Sequence, residues 1–93
     1  MVEDVDRQIM KAAEVLKAAG AREVYLFGSA SSGKLREGSD VDFAVSGLPP
    51  EVFFRAMGQA ARQLTRPLDI VDLDEHTPFT EYLRKKGKLR RVS

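Results

Sequence analysis

Residues 40–45 read Asp-Val-Asp-Phe-Ala-Val, and their alternation limits the folds open to this chain. Val41, Phe43 and Val45 fall on one face of an extended strand, while Asp40, Asp42 and Ala44 fall on the other. The first face must be buried, and the second begins with two carboxylates one strand repeat apart. A strand of this kind belongs inside a small sheet covered by helices.

The rest of the chain supplies the covering elements. Val5, Ile9, Ala12, Ala13, Leu16 and Ala19 recur at helical spacing and predict a helix over 3–19, stopped by Gly20. Glu23 to Phe27 is short, β-branched and aromatic, which predicts a buried strand ending at Gly28. Residues 29–35 suit a short helix or turn, with Ser31 and Ser32 as local hydrogen-bonding residues. Gly47 and the Pro49-Pro50 pair break the chain after the Asp-Val-Asp strand. Val52, Phe53, Ala56, Met57, Ala60 and Leu64 form a further helical stripe, closed before Pro67. Residues 68–73 read as a third strand, and Thr77-Pro78 as the cap and first residue of a helix that Gly87 ends. Residues 88–92 suit a last, edge-like strand. The expected order is α-β-(α)-β-α-β-α-β in one α/β or α+β domain spanning residues 1–93.

Composition narrows the function classes. The chain has 93 residues, 43% of them hydrophobic and 31% charged, which fits one compact domain. No apolar run approaches a membrane span and no signal segment opens the chain, so a cytoplasmic protein without membrane contact is the expectation. Zero cysteines exclude disulfides and thiolate metal sites, and a single histidine argues against a zinc enzyme. The net charge of +1 conceals an asymmetry. Arg84, Lys85, Lys86, Lys88, Arg90 and Arg91 crowd one end, while aspartates gather at 40, 42, 69, 72 and 74. The basic run suits a flank for phosphates or an acidic partner, but a solvated helix and strand rich in lysine and arginine is the preferred reading, and no interleaving of aromatic and basic residues supports nucleic-acid binding.

The loop from Gly28 admits two readings. G-x-x-x-x-G-K from Gly28 to Lys34 is nearly a phosphate-binding P-loop, but Leu35 stands where the metal-holding hydroxyl is needed. In the other reading, Gly28 ends a strand and lets a phosphate approach the backbone. Ser29 adds a hydroxyl and an amide at the following turn. Asp40 and Asp42 then present two hard oxygen ligands on one face, which suits Mg²⁺. Asp69 would add a third carboxylate if its strand lies beside theirs in register. A slip of one residue would exchange faces. Asp72 and Asp74 follow closely as competing acids. With divalent metal, three carboxylates form a site for displacement at phosphorus, and one of them can help remove the acceptor's proton.

The stretch FGSASSGKLREGSDVDFAV resembles the G-S-x-x-x-G…S-D-x-D motif of minimal nucleotidyltransferases, members of the DNA polymerase β-like superfamily. The later Asp-Ile-Val strand fits the same pattern, and the resemblance covers nearly the whole chain. It implies a nucleotidyltransferase fold, a small mixed sheet flanked by helices. It also implies binding of a nucleoside triphosphate, usually ATP, with Mg²⁺, two ions being expected, and transfer of a nucleotidyl group to an acceptor hydroxyl. By that resemblance Gly28 and Ser29 contact the triphosphate, with Ser39 in a supporting part. Asp40 and Asp42 hold the metals, and Asp69 shares a metal and activates the acceptor. Family members are often encoded beside a HEPN-domain partner, and some act as its antitoxin by transferring AMP to a tyrosine. Many members carry arginines between the two glycines, as in G-S-R-A-R-G. Here Ala30, Ser31 and Ser32 stand there, leaving the phosphates to amides, hydroxyls, Lys34, Arg36 and metal.

A second function class stays open, a binding module that keeps the fold and works by docking a partner. The intact carboxylates favour the enzyme, and the missing arginines favour the module. A domain this small leaves its active-site rim open, so a partner or a second copy is expected to complete the cleft. His76 reads as a loop residue, and Phe53, Phe54 and Met57 as core or partner surface.

Overall fold

A computed structural model describes residues 4–31 and 38–93. The Asp-Val-Asp strand, β2 (Val41–Ser46), lies inside a four-stranded mixed sheet. It runs antiparallel to β1 (Glu23–Phe27) and parallel to β3 (Leu68–Asp72), and β4 (Arg90–Arg91) adds antiparallel to the outer side of β1. The spatial order is β3-β2-β1-β4. Among the described residues three helices cover the sheet, α1 (Val5–Ala18), α2 (Pro50–Ala61) and α3 (Pro78–Lys85). The architecture is the small α+β arrangement expected from the sequence.

The two faces of the sheet carry separate cores, as the alternation in β2 requires. Val41, Phe43 and Val45 join Val24, Leu26 and Ile70 beneath Ile9, Ala12, Ala13 and Leu16 of α1 and Ala56 and Ala60 of α2. The opposite face buries a smaller cluster, in which Phe27 and Ala44 meet Leu73 and Leu83 of α3. Asp42 belongs to this second face, paired across the strands with Phe27.

Local chemistry sets the ends of the helices. Asp4 caps α1 by accepting from the Arg7 backbone N–H at 3.1 Å. Thr77 caps α3 as expected: its hydroxyl accepts from Thr80 N–H at 3.1 Å, and Thr80 Oγ1 accepts in return from Thr77 N–H at 3.0 Å. Gly87, at φ +61°, closes that helix; Lys88 N–H donates to Leu83 O at 3.1 Å and Gly87 N–H to Arg84 O at 3.4 Å. The chain therefore folds back and brings residues 88–91 alongside β1.

Several boundaries differ from the sequence expectations. The Pro49-Pro50 pair does not only break the chain: Pro50 is the first residue of α2, where its missing N–H costs no helical hydrogen bond. That helix ends at Ala61 rather than Leu64, and Leu64 packs on the core from the turn beyond. The expected strand over 88–92 contracts to Arg90–Arg91. Of the expected short helix over 29–35, a single 3₁₀ turn spans Gly28–Ala30, and residues 32–35 lie outside the described residues.

Phe43 has no exposed surface and is among the largest fully buried side chains. Phe43→Ala is expected to cost about 3–5 kcal/mol, read as a lower urea midpoint with an unchanged slope.

Candidate active site

The site forms where three strand ends meet. In the antiparallel pairing Phe27 lies opposite Asp42, and in the parallel pairing Asp42 lies opposite Asp69. Paired residues share a face, so Asp42 and Asp69 stand side by side on the α3 face of the sheet. Asp72 pairs instead with Val45 and belongs to the other face by alternation. Its carboxylate accepts from Asp74 N–H at 2.9 Å, while Asp74 accepts from Gly47 N–H at 2.7 Å. Both of the competing acids are thus engaged in turns.

Gly28 follows directly on Phe27 at φ +66°, in the left-handed region. A methyl group built on it would lie 2.6 Å from Asp42 Oδ2, well inside contact distance. The glycine backbone therefore borders the Asp42 carboxylate with no room for a side chain. Ser31 closes the turn: its N–H and hydroxyl both donate to Gly28 O, at 3.2 and 2.8 Å. Ser29 is half-buried within this turn, and Ala30 is buried beneath it. Ser32, Lys34 and Arg36, expected to meet phosphate charge, lie outside the described residues.

Asp40 precedes β2 and is exposed. The backbone just before it is held by a residue that the sequence reading missed. Arg66 Nη1 donates to Ser39 O at 3.1 Å, reaching from the turn before β3. No local pattern marks this arginine, because its partner lies 27 residues away.

The electrostatics of the site are strained by design of the sheet. Partial burial pushes the Asp42 carboxyl above the usual aspartate range, and the charges of Asp69 and then Asp40 push it further. Among the described residues, no three His, Cys, Asp or Glu side chains close into a ready metal cage. Mg²⁺ does not require one, since it commonly takes one or two carboxylates and completes its shell with phosphate oxygens and water. Hard oxygen donors crowded on one face, beside a backbone cleared of side chains, fit that ion.

The polymerase β nucleotidyltransferase family model matches residues 8–89. The chain belongs to that family. A search of curated proteins finds no significant match. Among solved structures, one described as a minimal nucleotidyltransferase superposes with a TM-score of 0.72 at 23% identity, over 98% of this chain and 96% of the other. A toxin–antitoxin structure with AMP-PNP gives a TM-score of 0.70 at 23% identity, over 88% of this chain and 70% of that one. A third holds a tri-AMPylated HEPN toxin of Shewanella oneidensis in complex with an MNT antitoxin; the TM-score is 0.65 at 21% identity, over 92% and 69% of the two chains. At these identities the likeness is one of fold. The chain is thus a polymerase β-family nucleotidyltransferase domain whose fold is shared with antitoxins found in complex with HEPN toxins.

The crowding at Asp42 has a measurable sign. Its folded carboxyl titrates above the unfolded value of 3.8, so ionisation works against the fold as pH rises. Asp42→Asn is expected to raise the melting temperature of the metal-free protein at pH 8. The gain should vanish at pH 3, where the native carboxyl is protonated in both states; thermal melts at the two pH values check this.

Proposed function

We propose that this chain, folded as one domain over residues 1–93, is a Mg²⁺-dependent nucleotidyltransferase that moves AMP from ATP to an acceptor hydroxyl. The acceptor in this reading is a tyrosine of a HEPN-type partner, for which the chain serves as antitoxin. The observation that carries the reading is the approach of Gly28 to Asp42, with Asp69 in register beside it. A phosphate can come close to a backbone without a side chain, next to the carboxylates that would share its cation. The solved neighbours, one holding AMP-PNP and one an AMPylated HEPN toxin, support the nucleotide and the partner.

Asp40 and Asp42 would hold the metal, two ions being the expected number, with Asp69 contributing to one of them. Bound there, Mg²⁺ would supply positive charge to the attacking and leaving oxygens. Gly28 and Ser29 would receive the triphosphate, and Ser39, tethered through its carbonyl to Arg66, would keep Asp40 in position. The acceptor oxygen forms a bond to the α-phosphorus. The bond from that phosphorus to the bridging oxygen breaks, and pyrophosphate leaves with the electron pair. Asp69 takes the acceptor's proton and passes it to water.

One observation favours a second reading, a partner-docking module with little turnover. Ser31 spends its hydroxyl on Gly28 O, and buried Ala30 brings no charge to the loop. The phosphates would then lose the forked guanidinium contacts that bind them well.

Labelled ATP, Mg²⁺ and the neighbouring gene's product separate the two. Stable label on the partner, abolished in the Asp40→Asn, Asp42→Asn double variant, is the expected result. A complex that forms equally well with both aspartates replaced, with no label transferred by the native chain, would establish the docking module instead. Asp69→Asn is expected to keep the fold and to slow transfer by about 100-fold or more; unimpaired turnover would remove Asp69 from the mechanism.

A further inference from the structure

A second concavity opens on the other side of Gly28. It lies between α3 and the returning chain at 87–90, has a volume of about 590 Å³, and includes Gly28 and Ser31 in its lining. That volume is within the range of small-molecule sites, roughly 300–1,000 Å³. Its wall is aromatic. Phe79 and Tyr82 stand three residues apart on α3, on neighbouring positions of one helix face, and each is about half exposed, at 47% and 48%. Phe27 supports them, its ring meeting that of Phe79 edge to face at 5.7 Å and 71°. Lys88 and Arg90 bring positive charge to the lining, and among the described residues no carboxylate lines it.

The distribution of chemistry across Gly28 is therefore uneven. On one side stand Asp42, Asp69 and Asp40, which call for a cation. On the other stands a cleft of aromatic rings with Lys88 and Arg90, which suits a flat, apolar group attached to an anion. We propose that this cleft seats the base and sugar of the nucleotide whose phosphates meet Gly28 and the aspartates. Tyr82 offers a face for the base, and Lys88 and Arg90 offset phosphate charge that the loop, reading Ala30-Ser31, does not meet. The proposal rests on the nucleotidyltransferase reading given above and adds to it the place and chemistry of recognition.

Calorimetric titrations of the full chain with ATP and with inorganic tripolyphosphate, each with Mg²⁺, test it. Tyr82→Ala should weaken ATP by about tenfold or more, as loss of a base-stacking ring does, and leave tripolyphosphate affinity unchanged. Tyr82→Phe should retain the native ATP affinity, which separates a lost ring from a disturbed fold. Lys88→Ala should weaken both ligands. If the native chain binds ATP and Tyr82→Ala binds it equally well, the cleft is not the base site, while the phosphate and metal reading stands. Loss of transfer to the partner without loss of ATP affinity in Tyr82→Ala would assign the cleft to the acceptor and overturn the proposal. If the native chain binds neither ligand, the nucleotide reading falls, and this inference falls with it.

Discussion

The parallel pairing of β2 with β3 is the constraint on which the site depends. Side chains alternate along a strand, so a shift of one residue would carry Asp69 to the helix-covered core and bring Leu68 or Ile70 beside Asp42. Backbone hydrogen bonds fasten the pair at both ends: Val41 N–H donates to Pro67 O at 2.9 Å, and Leu73 N–H donates to Val45 O at 2.8 Å. Apolar packing of Phe43 and Ile70 on the far face penalises any slip. Two carboxylates are thus held together by forces applied elsewhere, through backbone bonds and core burial.

This arrangement separates stability from chemistry across the thickness of one sheet. The α1–α2 face is dry and apolar, and it supplies most of the burial. The α3 face is only partly covered, which leaves Asp42 hydrated enough to ionise yet crowded enough to resist ionisation. Such resistance is a cost in the folded state that the opposite core offsets. A cation arriving at the site would relieve it, so the same crowding that weakens the fold favours the ligand.

Much of the frame was legible in the sequence because it rests on local rules. The period of α1, the alternation of β2, and the Thr77-Pro78 cap each depend on residues a few positions apart. The candidate site could be marked in its residue types through the loop motif, and less so in its geometry. Whether Asp69 or Asp72 stands beside Asp42 is a question of register, which pairing between distant segments decides. Arg66 had no mark at all, since it acts on a carbonyl contributed by another loop. Phe79 and Tyr82 fall within the helix expected after Thr77-Pro78, and only the return of the chain at Gly87 turns their surface into the wall of a cleft. Phe54 was expected in the core or on a partner surface; it is 80% exposed, with its ring against that of Phe53.

The last strand has a consequence for how these molecules meet one another. An open sheet edge is a template on which further strands can add. Here the edge is two residues long and both are arginine. Two copies approaching along it would bring Arg90–Arg91 pairs together, and their repulsion opposes growth of a continuous sheet between molecules. An acidic strand from a different protein would meet no such barrier. Charge at this edge therefore opposes pairing between like copies without closing the sheet.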